Sequence, residues 1–154
     1  MIDIGSPAPD FTLPRDGGGT VTLSDLRPGP VVLYFYPRDS TKGCTLQALD
    51  FSAHLLAFEA SGATVLGVSK DTVASHDKFR DKQGLGVTLL SDADSNVCEN
   101  YGVLAEKKMY GKTHMGIVRS TFLIDGEGRI AQAWRKVRVP GHVDAVLEAA
   151  RNLR

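Results

Sequence analysis

The sequence predicts an α/β protein with a single domain over residues 1–154. The apolar run at residues 31–36 does not alternate strictly between apolar and polar positions, so it suits a central strand buried on both faces. Strand and helix patterns then alternate as far as residue 90, which is the order typical of α/β sandwiches. Paired strands with glycine-containing turns flank this alternation at both ends of the chain.

The predicted elements follow from these patterns in chain order. They are an edge hairpin at 11–13 and 20–23, a strand at 31–36, a helix at 44–60, a strand at 63–68, a helix from Thr72 or Ser75 to Gln83, a strand at 87–90, a short helix at 96–101, a hairpin at 118–124 and 129–134, and a closing helix after Pro140. Val143, Val146 and Leu147 give this closing helix an apolar face. The basic stretch at 105–112 is predicted to be irregular.

Composition limits the classes of function. A chain of 154 residues with 42% hydrophobic content is large enough to bury one core. Eighteen basic and eighteen acidic residues balance, which argues against recognition of nucleic acid through bulk charge. The N-terminal segment has no basic stretch followed by an apolar one, and no apolar run approaches the roughly 20 residues of a membrane span. We therefore expect a cytoplasmic protein that binds neither nucleic acid nor membranes.

Cys44 is the most informative residue of the chain. It follows the predicted central strand and a polar loop, residues 37–43, that contains a proline, two hydroxyls and two cations. The position corresponds to the N-terminus of the next helix, where unpaired backbone N–H groups and the positive end of the helix dipole favour a thiolate. The sequence thus indicates a nucleophilic sulfur rather than a packing cysteine.

The loop also carries a family resemblance. Pro37, Thr41 and Cys44 have the spacing of the peroxiredoxin active-site loop, and the chain most resembles the bacterioferritin-comigratory, or Q-type, class. Further segments agree in the same order over nearly the whole chain, namely Gly5–Leu13, Leu90–Asp92, Tyr101–Val103 and Met115–Asp125. The resemblance implies a thioredoxin-like fold with an N-terminal β-hairpin extension and a central mixed sheet flanked by helices.

The resemblance also implies a function and a set of site residues. It predicts a thiol-dependent peroxidase that reduces hydrogen peroxide and small organic hydroperoxides through a sulfenic acid on Cys44, with no metal, flavin or haem. Arg119 directly precedes the segment Ser120–Asp125, just as the active-site arginine of the family precedes the equivalent strand. Its guanidinium is expected to stabilise both the thiolate and the departing oxygen. Thr41 is expected to orient the peroxide through its hydroxyl, and Pro37 to shield the sulfur. The alternatives for these three residues are a surface cation, a helix cap and a strand terminator.

The sequence departs from the family at the resolving cysteine, which in that family commonly lies five residues after the first cysteine or in the following helix. Leu49 occupies the first of these positions, and residues 75–83 contain no cysteine. Cys98 is the one internal candidate, and a packing thiol is the competing interpretation. We expect a monomer whose Cys44 is reduced by an external thiol, such as thioredoxin, glutaredoxin or a small thiol.

Two other functions stay open at this stage. A thioredoxin-like disulfide reductase would need a second cysteine three positions after Cys44, where Gln47 stands. A non-catalytic redox sensor or chaperone-like interaction protein is the other alternative. Gln47 itself is predicted either to join the polar network or to have a solvated or capping role. The four histidines lack the spacing of metal ligands and are interpreted as solvated or packing residues, at positions 54, 76, 114 and 142.

Overall fold

The computed structural model describes residues 2–153, apart from the side chain of Met109. Its strands are β1 (Thr12–Pro14), β2 (Thr20–Thr22), β3 (Val31–Phe35), β4 (Thr64–Ser69), β5 (Thr88–Ser91), β6 (Leu104–Met109), β7 (Lys112–Ile117), β8 (Ser120–Ile124) and β9 (Ile130–Arg135). Its helices are α1 (Lys42–Ala53), α2 (Leu55–Ala60), α3 (Val73–Gln83), α4 (Val97–Asn100) and α5 (His142–Arg151), with a short 3-10 helix at Leu23–Leu26. Within residues 2–153, no helix has both the length and the apolar character needed to cross a membrane.

Strand β3 is the centre of a mixed sheet whose order is β5-β4-β3-β8-β9. Strands β3, β4 and β5 are parallel, whereas β8 is antiparallel to both β3 and β9. All five residues of β3 are buried, as the continuous apolar run predicts. The central mixed sheet flanked by helices is therefore confirmed.

Side chains of β3 alternate between two apolar clusters on opposite faces of the sheet. Val31, Leu33 and Phe35 belong to one cluster, together with side chains of the N-terminal hairpin and α4. Val32 and Tyr34 belong to the other, together with side chains of α1, α2, α3 and α5. Consecutive residues of β3 therefore pack against different elements on the two faces of the sheet.

The predicted N-terminal hairpin is present as the β1–β2 pair. It lies outside the central sheet and contacts β5 through Asp16, whose N–H donates to the Leu89 carbonyl at 2.9 Å and whose carboxylate accepts from the Leu89 N–H at 3.0 Å. The paired strands predicted near the C-terminus are also present, as β8 and β9, although β8 begins at Ser120 rather than at residue 118.

Two predictions of local structure are wrong. The predicted helix at 44–60 begins at Lys42 and is divided into α1 and α2, because the backbone at His54 leaves the helical region with φ −104° and ψ 7°. The stretch at 105–112 is not irregular but forms the β6–β7 hairpin. Its turn residues, Tyr110 and Gly111, have φ of 53° and 76°, the two positive values that a tight hairpin turn requires.

Candidate active site

The predicted loop joins the end of β3 to the start of α1. Thr41 occupies the N-cap position of α1, and Cys44 lies in the first turn of this 12-residue helix. The first intrahelical bond runs from the Thr45 N–H to the Thr41 carbonyl at 2.9 Å. Amides 42–44 therefore have no carbonyl within the helix to which they can donate. This end of the helix favours negative charge.

Cys44 is only 2% exposed, but its sulfur has a cationic neighbour. The Nη2 of Arg119 donates to Cys44 Sγ at 3.3 Å, across 75 positions of sequence. A guanidinium held against sulfur favours the thiolate, since a buried negative charge is otherwise costly. The structure thus brings together the two residues that the sequence analysis assigned to nucleophile and cation.

The fold itself places Arg119 at this point. In the antiparallel pairing of β3 and β8, Phe35 is opposite Ser120, so the residue before β8 lies beside the end of β3, where the loop starts. The backbone carbonyl of Arg119 accepts from the Val137 N–H at 3.0 Å. A side chain at Gly43 would bring its Cβ to 3.2 Å from Arg119 Nη2, so the absence of a side chain there allows the close approach of the guanidinium.

Thr41 and Pro37 lie on the solvent side of the same loop. The Thr41 hydroxyl donates to the Arg38 carbonyl at 2.9 Å and makes no side-chain cap bond, so its oxygen lone pairs are free to accept from a ligand. Pro37 is half-buried. Both residues line a groove between the loop and the β6–β7 hairpin, whose wall is formed by Lys107, Met115 and Ile117.

Comparison with known proteins identifies the family of the chain. Residues 4–133 match the model of the AhpC/TSA family. Peroxiredoxin Bcp of Xanthomonas campestris is 53% identical over 145 residues, covering 93% of this chain and 91% of that protein. Peroxiredoxin Bcp of Bacillus subtilis is 45% identical over 152 residues, covering 99% and 97%. The chain belongs to the AhpC/TSA family, as a peroxiredoxin of the bacterioferritin-comigratory type.

Solved structures confirm the fold of this peroxiredoxin. The bacterioferritin comigratory protein of X. campestris superimposes with a TM-score of 0.89 at 48% identity, covering 98% of this chain and 96% of that one. A cysteine-to-serine mutant of PrxQ from Xylella fastidiosa gives a TM-score of 0.91 at 45% identity, covering 96% and 94%. The predicted thioredoxin-like fold is thus confirmed, and the protein is a thiol-dependent peroxidase.

Gln47 is a part of the peroxiredoxin site whose role the sequence left open. It is fully buried, and its Oε1 accepts from Arg119 Nη1 at 2.6 Å. Arg119 therefore uses one nitrogen for Cys44 and the other for Gln47, which fixes the plane of the guanidinium. Among the described residues, Gln47 Nε2 has no hydrogen-bond partner. In the sequence, the feature that could have indicated this role is the spacing of one helical turn between Cys44 and Gln47, which places both side chains on one side of α1.

Cys98 lies far from this site in the topology of the sheet. It belongs to the apolar cluster on one face, whereas Cys44 belongs to the cluster on the other. Cys98 is fully buried, and burial, together with a hydrogen bond to Asp92, raises the pKa of its thiol well above the usual range. A bond between the two cysteines would require one of them to leave its cluster and pass the edge of the sheet.

Two histidines are buried and hydrogen-bonded. His142 Nε2 is 2.8 Å from the Thr121 hydroxyl, and its ring contacts Phe51 and Trp134 edge-on. Burial, and then the charge of Arg119, lowers the pKa of His142 to about 4, so this ring is neutral at pH 7. His76 lies in a polar cluster beside the loop. Sequence spacing gave no sign of either arrangement.

Proposed function

We propose that Cys44 is the residue that reacts with peroxide in this thiol-dependent peroxidase. The observation that carries the proposal is the 3.3 Å contact between Arg119 Nη2 and Cys44 Sγ at the N-terminus of α1. Helix end and guanidinium act on the same sulfur, and both favour its anionic form. Cys98 also begins a helix, the four-residue α4, but its thiol is buried beside the carboxylate of Asp92, and burial and this carboxylate raise its pKa.

The reaction follows from these contacts. The Cys44 thiolate attacks the nearer peroxide oxygen, the S–O bond forms as the O–O bond breaks, and the second oxygen leaves with the electron pair and takes up a proton. The products are a sulfenic acid on Cys44 and water or an alcohol. Arg119 and the unpaired amides of the first turn stabilise the charge that moves from sulfur to oxygen. Thr41 accepts a hydrogen bond from the peroxide, and Pro37 limits access to the sulfur.

The substrates we propose are hydrogen peroxide and small organic hydroperoxides. The related bacterioferritin comigratory protein of X. campestris has alkyl peroxide reduction activity, which supports the second class. The groove beside Pro37 and Thr41 includes Met115 and Ile117, so an alkyl group would find apolar contacts beside the loop that precedes Cys44.

We propose that an external thiol recycles Cys44. The sulfenic acid condenses with that thiol to form a mixed disulfide and water, and a second thiol then releases Cys44 and carries away the disulfide. The separation of Cys44 and Cys98 by the central sheet supports this route over an internal disulfide. Thioredoxin, glutaredoxin or a small thiol in the cytoplasm would supply the electrons, and the 154-residue chain would act as a one-domain monomer.

Two cysteine variants test both parts of the proposal. Stopped-flow measurement with hydrogen peroxide should show no reaction for Cys44→Ser and a wild-type rate constant for Cys98→Ser. Peroxide consumption by Cys44→Ser would refute the assignment of the nucleophile. Mass spectrometry after one equivalent of peroxide should find one added oxygen on Cys44, whereas a bond between Cys44 and Cys98 would refute external recycling.

A further inference from the structure

A buried polar cluster joins the catalytic loop, residues 37–41, to the start of α3. Its centre is an ion pair in which His76 Nδ1 lies 2.7 Å from Asp39 Oδ2, and both residues are buried, at 0% and 7% exposure. The Tyr36 hydroxyl donates to Asp39 Oδ1 at 2.6 Å, and the Ser75 hydroxyl donates to Oδ2 at 2.8 Å. One carboxylate of the loop is therefore bound by three side chains.

The backbone of the loop is anchored at the same residue. The Asp39 N–H donates to Asp71 Oδ2 at 2.8 Å, and this carboxylate oxygen also accepts from the Ser69 hydroxyl at 2.6 Å. The next residue, Ser40, has a φ of 65°, in the left-handed region that residues with a Cβ rarely adopt. Anchors on Asp39 are what hold the chain in this unfavourable conformation one residue before the N-cap of α1.

The hydrogen bonds of His76 favour its charged form. Its Nε2 lies 2.9 Å from the Leu90 carbonyl and its Nδ1 faces the Asp39 carboxylate, so each ring nitrogen has an acceptor for a proton. Burial would lower the pKa of His76, but the hydrogen bond and charge of Asp39 outweigh it and raise the pKa above its usual value. The remaining ionisable groups that face the ring are Tyr36 from the end of β3 and Asp71 from the β4–α3 connection.

This arrangement excludes one other interpretation of the cluster. Asp39, Asp71 and His76 hold their ligand atoms within 4.8 Å of one another, as the residues of a metal site do. However, His76 Nδ1 and Asp39 Oδ2 lie 2.7 Å apart, which is the separation of a hydrogen bond and is shorter than two ligand atoms of one metal ion keep. The cluster is therefore built as an ion pair between an imidazolium and a carboxylate.

We propose that His76 is a positioning residue for the peroxide reaction. Paired with Asp39, its imidazolium holds the catalytic loop in the conformation that presents Thr41 and the first turn of α1 to the peroxide. When the imidazolium loses its proton, the loop carboxylate loses its charged donor while it stays buried, and the loop shifts. The proposal rests on the proposed role of Cys44, because that sulfur is what the loop positions.

Two amide variants separate positioning from mere packing. In His76→Asn, the side-chain nitrogen takes the place of Nδ1 and keeps a donor to Asp39. In His76→Gln, the amide takes the place of Nε2, so the bond to Leu90 is kept and the bond to Asp39 is lost. At pH 7, we expect the rate constant of His76→Asn with hydrogen peroxide to stay within about threefold of wild type. We expect the rate constant of His76→Gln to fall about tenfold or more, because misplacement of reacting groups by about 1 Å has effects of at least this size.

The pH profile gives a second measurement that packing alone would not change. The wild-type rate constant should fall on the alkaline side as His76 loses its proton, whereas His76→Asn has no proton to lose there and should stay level. Asp77→Asn is the matched control, since Asp77 neighbours His76 on α3 but bonds to Gly17 and Arg80 instead of the loop. It should lower the urea midpoint and leave the rate constant unchanged.

Several results would overturn the inference. Equal rate constants for the folded His76→Asn and His76→Gln variants would show that the Asp39 bond does not position the loop. An alkaline fall that persists in His76→Asn would assign that limb to another group, and a tenfold loss in Asp77→Asn would indicate general loosening of α3. Absence of Cys44-dependent peroxide reduction in the wild-type protein would instead contradict the proposed function, so the two failures are distinguishable.

Discussion

Replacement of Arg119 by methionine gives the sharpest test of the site. Methionine keeps an unbranched side chain of similar reach and removes the charge and both donors. The Nη2 contact to Cys44 Sγ at 3.3 Å is a charge-assisted hydrogen bond, which contributes about 1.5–3 kcal/mol. If the guanidinium stabilises the transition state by this much more than it stabilises the resting site, the loss converts to rate at about tenfold for each 1.36 kcal/mol. We therefore expect the rate constant with hydrogen peroxide to fall about 10- to 150-fold in Arg119→Met.

Stopped-flow kinetics under pseudo-first-order peroxide provide the assay. Arg119→Lys is the matched control, since it keeps the charge but cannot reach Cys44 and Gln47 together as the planar guanidinium does. Its rate constant should lie between those of wild type and Arg119→Met.

The role of Gln47 is included in the same experiment. If Gln47 acts by aiming the guanidinium, Gln47→Leu should slow the wild-type protein and have no further effect on Arg119→Met, since the two residues then act as one unit. A loss of less than threefold in Arg119→Met would refute the assignment of Arg119. Equal additional losses from Gln47→Leu in both backgrounds would refute the aiming role.

Three further predictions concern packing and protonation. Gly67→Ala should lower the free energy of unfolding in urea by about 1–3 kcal/mol, because its Cβ would lie 2.6 Å from Tyr34 Cζ; a Tyr34→Leu background should remove most of this cost. Gly43→Ala should slow the peroxide reaction with little change in the urea midpoint, because its Cβ would lie 3.2 Å from Arg119 Nη2 and displace the guanidinium; a wild-type rate would contradict the close approach. Folding lowers the pKa of His142 to about 4, so the unfolded chain binds more protons than the folded protein between pH 6.5 and pH 4. The free energy of unfolding should therefore fall by on the order of 2 kcal/mol as the pH drops through this range. In His142→Gln the fall should be smaller.

Local sequence signals were sufficient to predict elements whose burial pattern or turn residues are visible in a short segment. The apolar run of β3 predicted a strand buried on both faces, and the glycine turn after residue 124 predicted the last hairpin of the sheet. The β6–β7 hairpin escaped prediction because most of β7 is exposed, so no buried face imposes an alternation of apolar and polar residues. The break at His54 was also hidden, since Phe51 and Phe58 keep a helical spacing while packing into one cluster from two helices.

By itself, the sequence determined that Cys44 ends a polar loop and begins a helix, because strand, loop and helix signals are all local. It also pointed to Arg119 through a likeness of ordered motifs. Only the tertiary structure decided what the sulfur contacts, since the pairing of β3 with β8 brings Arg119 Nη2 to 3.3 Å from Cys44 Sγ although the two residues are 75 positions apart. Tertiary structure likewise decided that Cys98 faces the opposite side of the sheet and that His76 is bound to the loop. Such contacts depend on the register of strand pairing and on which face of the sheet a side chain occupies. Neither can be predicted from the sequence spacing of the residues in contact.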